Sequence, residues 1–289
     1  MVQLLLSGLA NGCIYGLIAV GFVLIYKATE AVNFAQGDMM MLGAFAMIGL
    51  SDASWLGLPF WAAVPAAVLV MGALGAAIQM LFVRPLLGES QIAVVMLTIA
   101  LGFLFRFAAG TIFGYEPQTL DTPFAGRDLA VGGAALALAD ALVLVVTVVL
   151  TGLLFVFFAR TKLGVAMQAA SQNQLAAAYM GIPVQRIQTL VWALAGAIAA
   201  VAGILFAAKG TIDPQAGLLG IKAFAAAVVG GMGSLPGALL GGLLIGVAEP
   251  FAARYGPTGY AQLTPYLLLF VVLVLRPHGL VAQVRAKKV

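Results

Sequence analysis

The sequence predicts an all-α integral membrane protein, a polytopic bundle of about eight or nine transmembrane helical segments. Of its 289 residues, 63% are hydrophobic and only 8% are charged, whereas about a quarter of the residues in soluble domains are charged. Apolar runs near or above the ~18 residues needed to cross a bilayer recur along the chain. The ~10-residue alternating segments of an outer-membrane barrel do not occur, so we expect helical spans.

Apolar runs between polar breaks define nine candidate segments, near residues 4–26, 34–50, 60–82, 91–114, 136–158, 187–208, 218–231, 236–252 and 263–281. The first run has no basic region before it, so we interpret it as a retained span rather than a signal peptide. A glycine-rich break divides 218–231 from 236–252, which predicts either two short helices or one broken re-entrant element near 218–252. A single transmembrane domain, residues 1–289, is expected.

Lysine and arginine predict the orientation, because basic side chains of short loops stay in the cytoplasm. With the amino terminus outside, three basic residues lie clearly outside, Arg127, Lys209 and Arg254, against nine inside: Lys27, Arg84, Arg160, Lys162, Arg186, Arg276, Arg285, Lys287 and Lys288. We therefore expect a cytoplasmic carboxyl terminus. The net charge of +4 is accounted for by basic residues at the inner leaflet, so no nucleic-acid partner is expected.

The longest predicted cytoplasmic stretch, residues 159–186, is too apolar for a solvated linker and too interrupted for a span. Ser171 and Gln174 have the spacing of a capping box, in which a hydroxyl caps the helix start. Residues 172–180 then favour a helix of about nine residues, and Gly181 provides a stop. This stretch therefore predicts a short helix outside the membrane.

Leu175, Ala178 and Tyr179 share one face of that short helix. An exposed apolar face in the cytoplasm predicts docking into a groove on another protein. The alternative is a helix lying flat on the lipid headgroups. We favour docking, because an interfacial anchor needs more basic residues than the polar face offers with Gln172, Asn173 and Gln174.

The sequence carries no recognisable catalytic motif. A phosphate-binding loop, G-x-x-x-x-G-K-[ST], is excluded because none of the lysines is followed by Ser or Thr. Neither H-E-x-x-H nor G-x-S-x-G occurs, and Cys13 and His278 are the only residues of their types. We therefore expect no catalytic residue, metal site or cofactor in this chain.

An ion-driven secondary carrier is the alternative transporter class, and it would need acidic residues deep in the bundle. The charged residues inside the predicted spans are instead expected toward the outer ends: Arg106, Asp140, Lys222 and Glu249. Asp38 alone begins a span from the cytoplasmic side. There it either serves a function or is stabilised by the helix dipole.

A substrate pathway is predicted around Asn33, Phe34, Gln36, Gly37 and Asp38. Asn33 and Gln36 have capping spacing before a span, so Asn33 can cap the helix, Gln36 can return a hydrogen bond, and their remaining polar groups can face inward. The alternative is simple capping at the membrane surface. Separately, Gly237 with Gly241 and Gly242 with Gly246 form small-x-x-x-small pairs, which predict close helix packing.

The chain resembles the LivH-type permeases of branched-chain amino acid ABC importers over nearly its whole length. The similar segments are GLANGCIYGLIAVGFVLIY, VNFAQGDMMMLGAF, RPL at 84–86, RTKLGVAMQAASQNQLAAAYMGI, KAFAAAVVGGMGSLPGALLGGLLIGVAE and RPHGL. The resemblance implies a bacterial inner-membrane subunit that works with a similar second permease, a periplasmic substrate-binding protein and two cytoplasmic ATPases carrying ATP and Mg²⁺. Similar permeases serve urea or short amides, so the substrate stays open among these.

The resemblance also implies that the ATPase-coupling helix lies within residues 163–181. The coupling residues would be Gly164, Ser171, Gln172, Asn173, Gln174, Leu175, Ala178, Tyr179 and Gly181. Relatives often carry an acidic residue where this chain has Gln172 and Asn173. We therefore expect apolar contacts and neutral hydrogen bonds, rather than a salt bridge, to hold the ATPase here.

Overall fold

The computed structural model describes residues 1–86, 90–131 and 134–281. Within these ranges the chain is mainly helical, with two small two-stranded antiparallel ribbons. The helices are α1 (Val2–Thr29), α2 (Gln36–Ser51), α3 (Phe60–Ile78), α4 (Gln91–Phe113), α5 (Leu138–Arg160), α6 (Lys162–Gln172), α7 (Gln174–Tyr179), α8 (Val184–Lys209), α9 (Leu219–Gly230), α10 (Leu235–Tyr255) and α11 (Tyr260–Leu275). The strands are β1 (Gln118–Thr119), β2 (Asp128–Val131), β3 (Ala134–Ala137) and β4 (Thr211–Ile212), and β1 pairs with β4 and β2 with β3.

The predicted all-α membrane bundle is confirmed. In the described ranges, six helices are long and apolar enough to cross a bilayer: α1, α3 with its continuation to Leu86, α4, α5, α8 and α10. The shorter helices α2, α9 and α11 match the remaining predicted segments. Residues 218–252 form two separate helices, α9 and α10, so the single re-entrant element is wrong. A tight turn at residues 231–234 lets the two pack side by side.

Helix α1 runs through the centre of the bundle, which explains why it is apolar on all sides. Its glycine face packs against α10, where a Cβ added to Gly242 or Gly246 would overlap the backbone of Gly16 or Gly12. The other pair, Gly237 and Gly241, faces α9 instead. The two glycine pairs therefore make two seams, one on each side of α10, and small residues allow this close approach in lipid.

The bundle has two ends that matter for function. At the amino-terminal end, the Tyr255 hydroxyl lies 3.3 Å from the Met1 sulfur. At the opposite end, which we call the α7 end, Gln174 contacts the carbonyl of Ala28. The backbone of Val281 also hydrogen-bonds the end of α9 there. The amino terminus and the last described residue therefore lie at opposite ends.

Two of the short helices begin inside the bundle rather than at its surface. The first turn of α2 contacts the middle of α8 through Gln36. The first turn of α9 follows a 3₁₀ turn, Pro214–Leu218, and crosses α2 so closely that Gly37 and Gly220 touch. The starts of α2 and α9 thus meet in the interior, at the place where the candidate pathway residues lie.

Candidate functional site

The two pathway amides are fully buried and bind each other. Asn33 Oδ1 accepts a hydrogen bond from Ala35 N (3.1 Å), and Asn33 Nδ2 donates to Gln36 Oε1 (3.2 Å). Gln36 Nε2 donates to Ala195 O in α8 (3.1 Å). The expected capping box is wrong, because Ala35 occupies the cap position and Gln36 reaches across to α8. These amides fix the loop between α1 and α2 to α8.

Phe34 lies on the open side of this loop and is half-buried. Its backbone N–H donates to Thr98 Oγ1 in α4 (3.1 Å), and its ring packs against Phe224 in α9 with 5.3 Å between centroids. Gly37, by contrast, lies at the crossing with α9, where a side chain would overlap Gly217 and Gly220. Phe34 therefore keeps part of its ring exposed, whereas Gly37 serves close packing.

Asp38 forms a buried ion pair with Arg106. Arg106 Nε lies 2.6 Å from Asp38 Oδ1, and Arg106 Nη2 lies 3.3 Å from Oδ2. The carboxylate is enclosed by Gly102 and Gly217, neither of which has room for a Cβ. The expectation that Asp38 starts a span at the cytoplasmic surface is wrong, since α2 begins inside the bundle. A buried carboxylate needs a partner, and Arg106 supplies it.

Two further ion pairs join spans. Lys222 pairs with Glu249, whose other oxygen accepts a hydrogen bond from the Tyr15 hydroxyl (2.8 Å). Tyr15 lies midway along α1, so Lys222 and Glu249 lie deeper than the sequence suggested. Lys209 pairs with Asp140 (2.6 Å) nearer the amino-terminal end. The sequence did contain a signal for these pairs, because the predicted spans carry basic and acidic residues that can balance each other. Charged residues inside a membrane usually pair.

The segment at the α7 end consists of two helices. Ser171 lies inside α6 and donates to Gln168 O (2.8 Å), so it does not cap the following helix. Asn173 does, because its Oδ1 accepts from Ala176 N (2.9 Å). Helix α7 then has six residues rather than nine. Gly181 ends it with φ of 82°, a conformation that glycine adopts easily.

The apolar side of α7 is exposed. Leu175 and Tyr179 are 72% and 89% exposed, Ala178 lies beside them, and Met180 extends the patch. We call Leu175, Ala178, Tyr179 and Met180 the α7 patch. The sequence had not indicated Met180. Gln172 and Asn173 are also exposed, whereas Gly164 packs tightly against the end of α5.

Gln174 connects α7 to the bundle. Its Nε2 donates to Ala28 O near the end of α1 (3.0 Å), and Gln188 Nε2 in α8 lies 3.4 Å from the same carbonyl. The loop that carries Asn33, and then the start of α2 with Asp38, follow in the sequence. Gln174 therefore joins α7 directly to the end of α1, the helix that leads into this loop.

Spanning helices, interior helix starts and paired interior charges are typical of membrane-embedded transport proteins. The fold is similar to a chain of "PsaBC from Streptococcus pneumoniae in complex with Fab", with a TM-score of 0.51, 17% identity, and coverage of 92% of this chain and 90% of that chain. Residues 4–275 match the family described as branched-chain amino acid transport system / permease component. The chain belongs to this family, and the LivH-type resemblance is confirmed.

Two individual relatives, BraD and LivH, are similar to the chain over its full length. The high-affinity branched-chain amino acid transport system permease protein BraD of Pseudomonas aeruginosa is 33% identical over 300 residues, covering 100% of this chain and 98% of BraD. LivH of Escherichia coli K12 is 30% identical over 304 residues, covering 100% and 97%. LivM of the same organism, also named a permease of such a system, is 30% identical over 129 residues, covering 44% of this chain and 30% of LivM.

Proposed function

We propose that the chain is the translocating permease subunit of an ATP-driven importer for branched-chain aliphatic amino acids. The observation that carries the proposal is full-length similarity to BraD and LivH, which are named for that transport. The partly exposed ring of Phe34 gives the interior an apolar surface, which suits an aliphatic side chain. Urea and short amides are the less favoured substrates, because no relative named above is a permease for them.

ATP hydrolysis belongs to separate subunits in this proposal. The chain has no phosphate-binding loop of the G-x-x-x-x-G-K-[ST] type. The α7 patch offers an apolar surface on which one of the two cytoplasmic ATPases, with its ATP and Mg²⁺, would dock. A second, homologous permease subunit and a periplasmic substrate-binding protein complete the importer. Closure of the ATPases would move α7, and the Gln174 contact with α1 would bias the interior between outward and inward access.

The proposed location is the bacterial inner membrane, with the α7 end in the cytoplasm. The basic residues at that end support this orientation, as does the pairing of Lys209 with Asp140, which neutralises a lysine at the other end. Arg285, Lys287 and Lys288 were also counted among the basic residues predicted to be cytoplasmic, but they lie outside the described residues. In this proposal the carboxyl terminus also lies in the cytoplasm, because Val281, the last described residue, lies at the α7 end.

Cysteine labelling tests the orientation. Trp55→Cys at the amino-terminal end and His278→Cys beyond α11 both replace exposed residues, and Cys13 is buried and contributes little background. In intact cells with a permeable outer membrane, an impermeant maleimide is expected to label Trp55→Cys and spare His278→Cys. Inside-out vesicles are expected to give the reverse. Labelling of His278→Cys in intact cells contradicts the orientation.

Uptake under controlled energy supply tests the transport class. The complete importer is placed in vesicles with saturating binding protein and ATP, and ionophores collapse the proton and sodium gradients. Labelled leucine, isoleucine or valine is expected to accumulate, because ATP alone drives the cycle. Accumulation that stops with the gradients supports an ion-coupled carrier instead. Accumulation of urea but of none of the three amino acids contradicts the proposed substrate.

A further inference from the structure

We infer that Arg106 binds the α-carboxylate of the transported amino acid, and that Asp38 is a positioning residue holding the guanidinium toward the pathway. This inference rests on the proposed function and deepens it. It assigns a substrate contact to Arg106, which the pathway prediction had left out. It also explains why the pathway would accept amino acids and discriminate against urea, which has no carboxylate.

The hydrogen-bond inventory of Arg106 supports the assignment. A guanidinium has five N–H donors, and Asp38 uses one on Nε and one on Nη2. Among the described residues no other acceptor meets the guanidinium, so both donors on Nη1 and one on Nη2 stay available. Two adjacent N–H groups suit a carboxylate, which arginine binds in a bidentate manner.

The approach to this ion pair is open on one side only. Gly102 and Gly217 press against Asp38, whose side chain is 2% exposed, so no ligand fits behind the carboxylate. The Arg106 side chain is 23% exposed and lies over the Phe103 ring, 5.4 Å from its centroid. A substrate therefore meets the guanidinium and the phenyl ring, and not Asp38.

The depth of Arg106 indicates that this face of α4 does not meet lipid. Arg106 precedes the end of α4 at Phe113 by about two turns, or ~10 Å at 1.5 Å per residue. A guanidinium exposed to hydrocarbon at that depth is costly, and such residues usually line a polar cavity or an internal interface. In this inference the aqueous pathway provides the polar surroundings that Arg106 requires.

The neighbouring surfaces fit an amino acid with an aliphatic side chain. Phe103 is 63% exposed, and Phe34 is held beside α4 by its bond to Thr98. These rings offer apolar area next to a carboxylate site. Because Asp38 and Arg106 together are neutral, a zwitterion adds no net charge to the site.

Uptake by substituted importers tests the contact. In vesicles with the complete importer and saturating loaded binding protein, Arg106→Gln is expected to lower leucine uptake about tenfold or more, since a charged hydrogen bond contributes ~1.5–3 kcal/mol. Arg106→Lys, which keeps the charge, is expected to restore part of it. When the concentration of loaded binding protein is varied instead, Asp38→Asn is expected to lower kcat with little change in KM, because the binding protein still docks while the guanidinium is released from its position. Wild-type uptake by Arg106→Gln overturns the inference.

A second measurement separates substrate contact from a structural role. With Phe103→Cys in the complete importer, an anionic thiosulfonate is expected to react several-fold faster than a cationic one, because the guanidinium attracts it. Adding Arg106→Gln is expected to remove this preference. Leucine is expected to slow the reaction with the anionic reagent, whereas leucinol, which has no carboxylate, is not. Val148→Cys, exposed on α5, is the control on another helix and is expected to show no preference between the two reagents, because Arg106 lies on α4.

The two proposals fail in different ways. If the wild-type importer takes up no branched-chain amino acid, the proposed function is wrong. If the wild type transports leucine but Phe103→Cys shows no charge preference with Arg106 present, only the arginine contact is wrong. A preference that survives Arg106→Gln also overturns it, because the charge then comes from another group.

Discussion

Replacing Gly246 by leucine is expected to remove most of the folded permease from the membrane. The Cβ alone would overlap the backbone of Gly12, and the remaining side-chain atoms have no space between α1 and α10. Overpacking usually costs ~1–3 kcal/mol where side chains can move. Backbone atoms cannot move aside as side chains do, so α1 must separate from α10. The lost packing is a large fraction of the ~5–15 kcal/mol free energy of unfolding that is typical of a domain.

The measurement is the yield of monodisperse permease after mild detergent extraction. Gly152→Leu is the matched control, because it adds the same side chain to α5, where nothing lies within 4 Å of an added Cβ. Its yield is expected to match the wild type. Equal yields for the Gly152 and Gly246 variants would show that the α1–α10 seam is not required for folding.

Much of the fold could be predicted from the sequence, because the lipid bilayer imposes simple requirements on any segment that crosses it. A span must form all its backbone hydrogen bonds internally and present apolar side chains to lipid. Hydropathy therefore located the segments to within about four residues, except that the last helix ends at Leu275 rather than near residue 281. The two glycine pairs on α10 could also be recognised from their spacing in the sequence. Their division between α1 and α9 was not, because spacing along one helix does not say which neighbours approach it.

The interior ion pairs were harder to predict, for a physical reason. Asp38 and Arg106 lie 68 residues apart in sequence, so no local pattern joins them. Hydropathy also assigns depth by assuming that each span starts at the membrane surface. Helices α2 and α9 start inside instead, which moved Asp38 and Lys222 inward from their expected places.

The capping errors at the α7 end have a different origin. Ser171 and Asn173 are both good capping residues and lie two positions apart, so the sequence offered two competing helix starts. Helix α6 extends through Ser171, and the break falls at Asn173, which has an extended backbone with φ of −157°. The prediction of an apolar face was unaffected by this error, because Leu175 and Tyr179 share one face in both the predicted helix and the observed α7.

Changing both Leu175 and Tyr179 to aspartate is expected to abolish co-purification of the ATPase while leaving the permease in the membrane. Both side chains are largely exposed, so the folded bundle loses little packing. A docked ATPase would have to bury two carboxylates in an apolar groove, and a buried charge without a partner is strongly unfavourable. The readout is the ATPase-to-permease ratio after affinity purification of the tagged permease.

The control places the same change at the other end of the bundle. Leu56 and Trp61 are also exposed apolar residues, and they lie at the amino-terminal end. Leu56→Asp with Trp61→Asp is expected to keep the ATPase at the wild-type ratio, because the docking surface is untouched. Retention of the ATPase by the Leu175 and Tyr179 double variant would mean that the ATPase docks on another part of the chain. The route from α7 through Gln174 to the interior would then not be the route by which ATP drives transport.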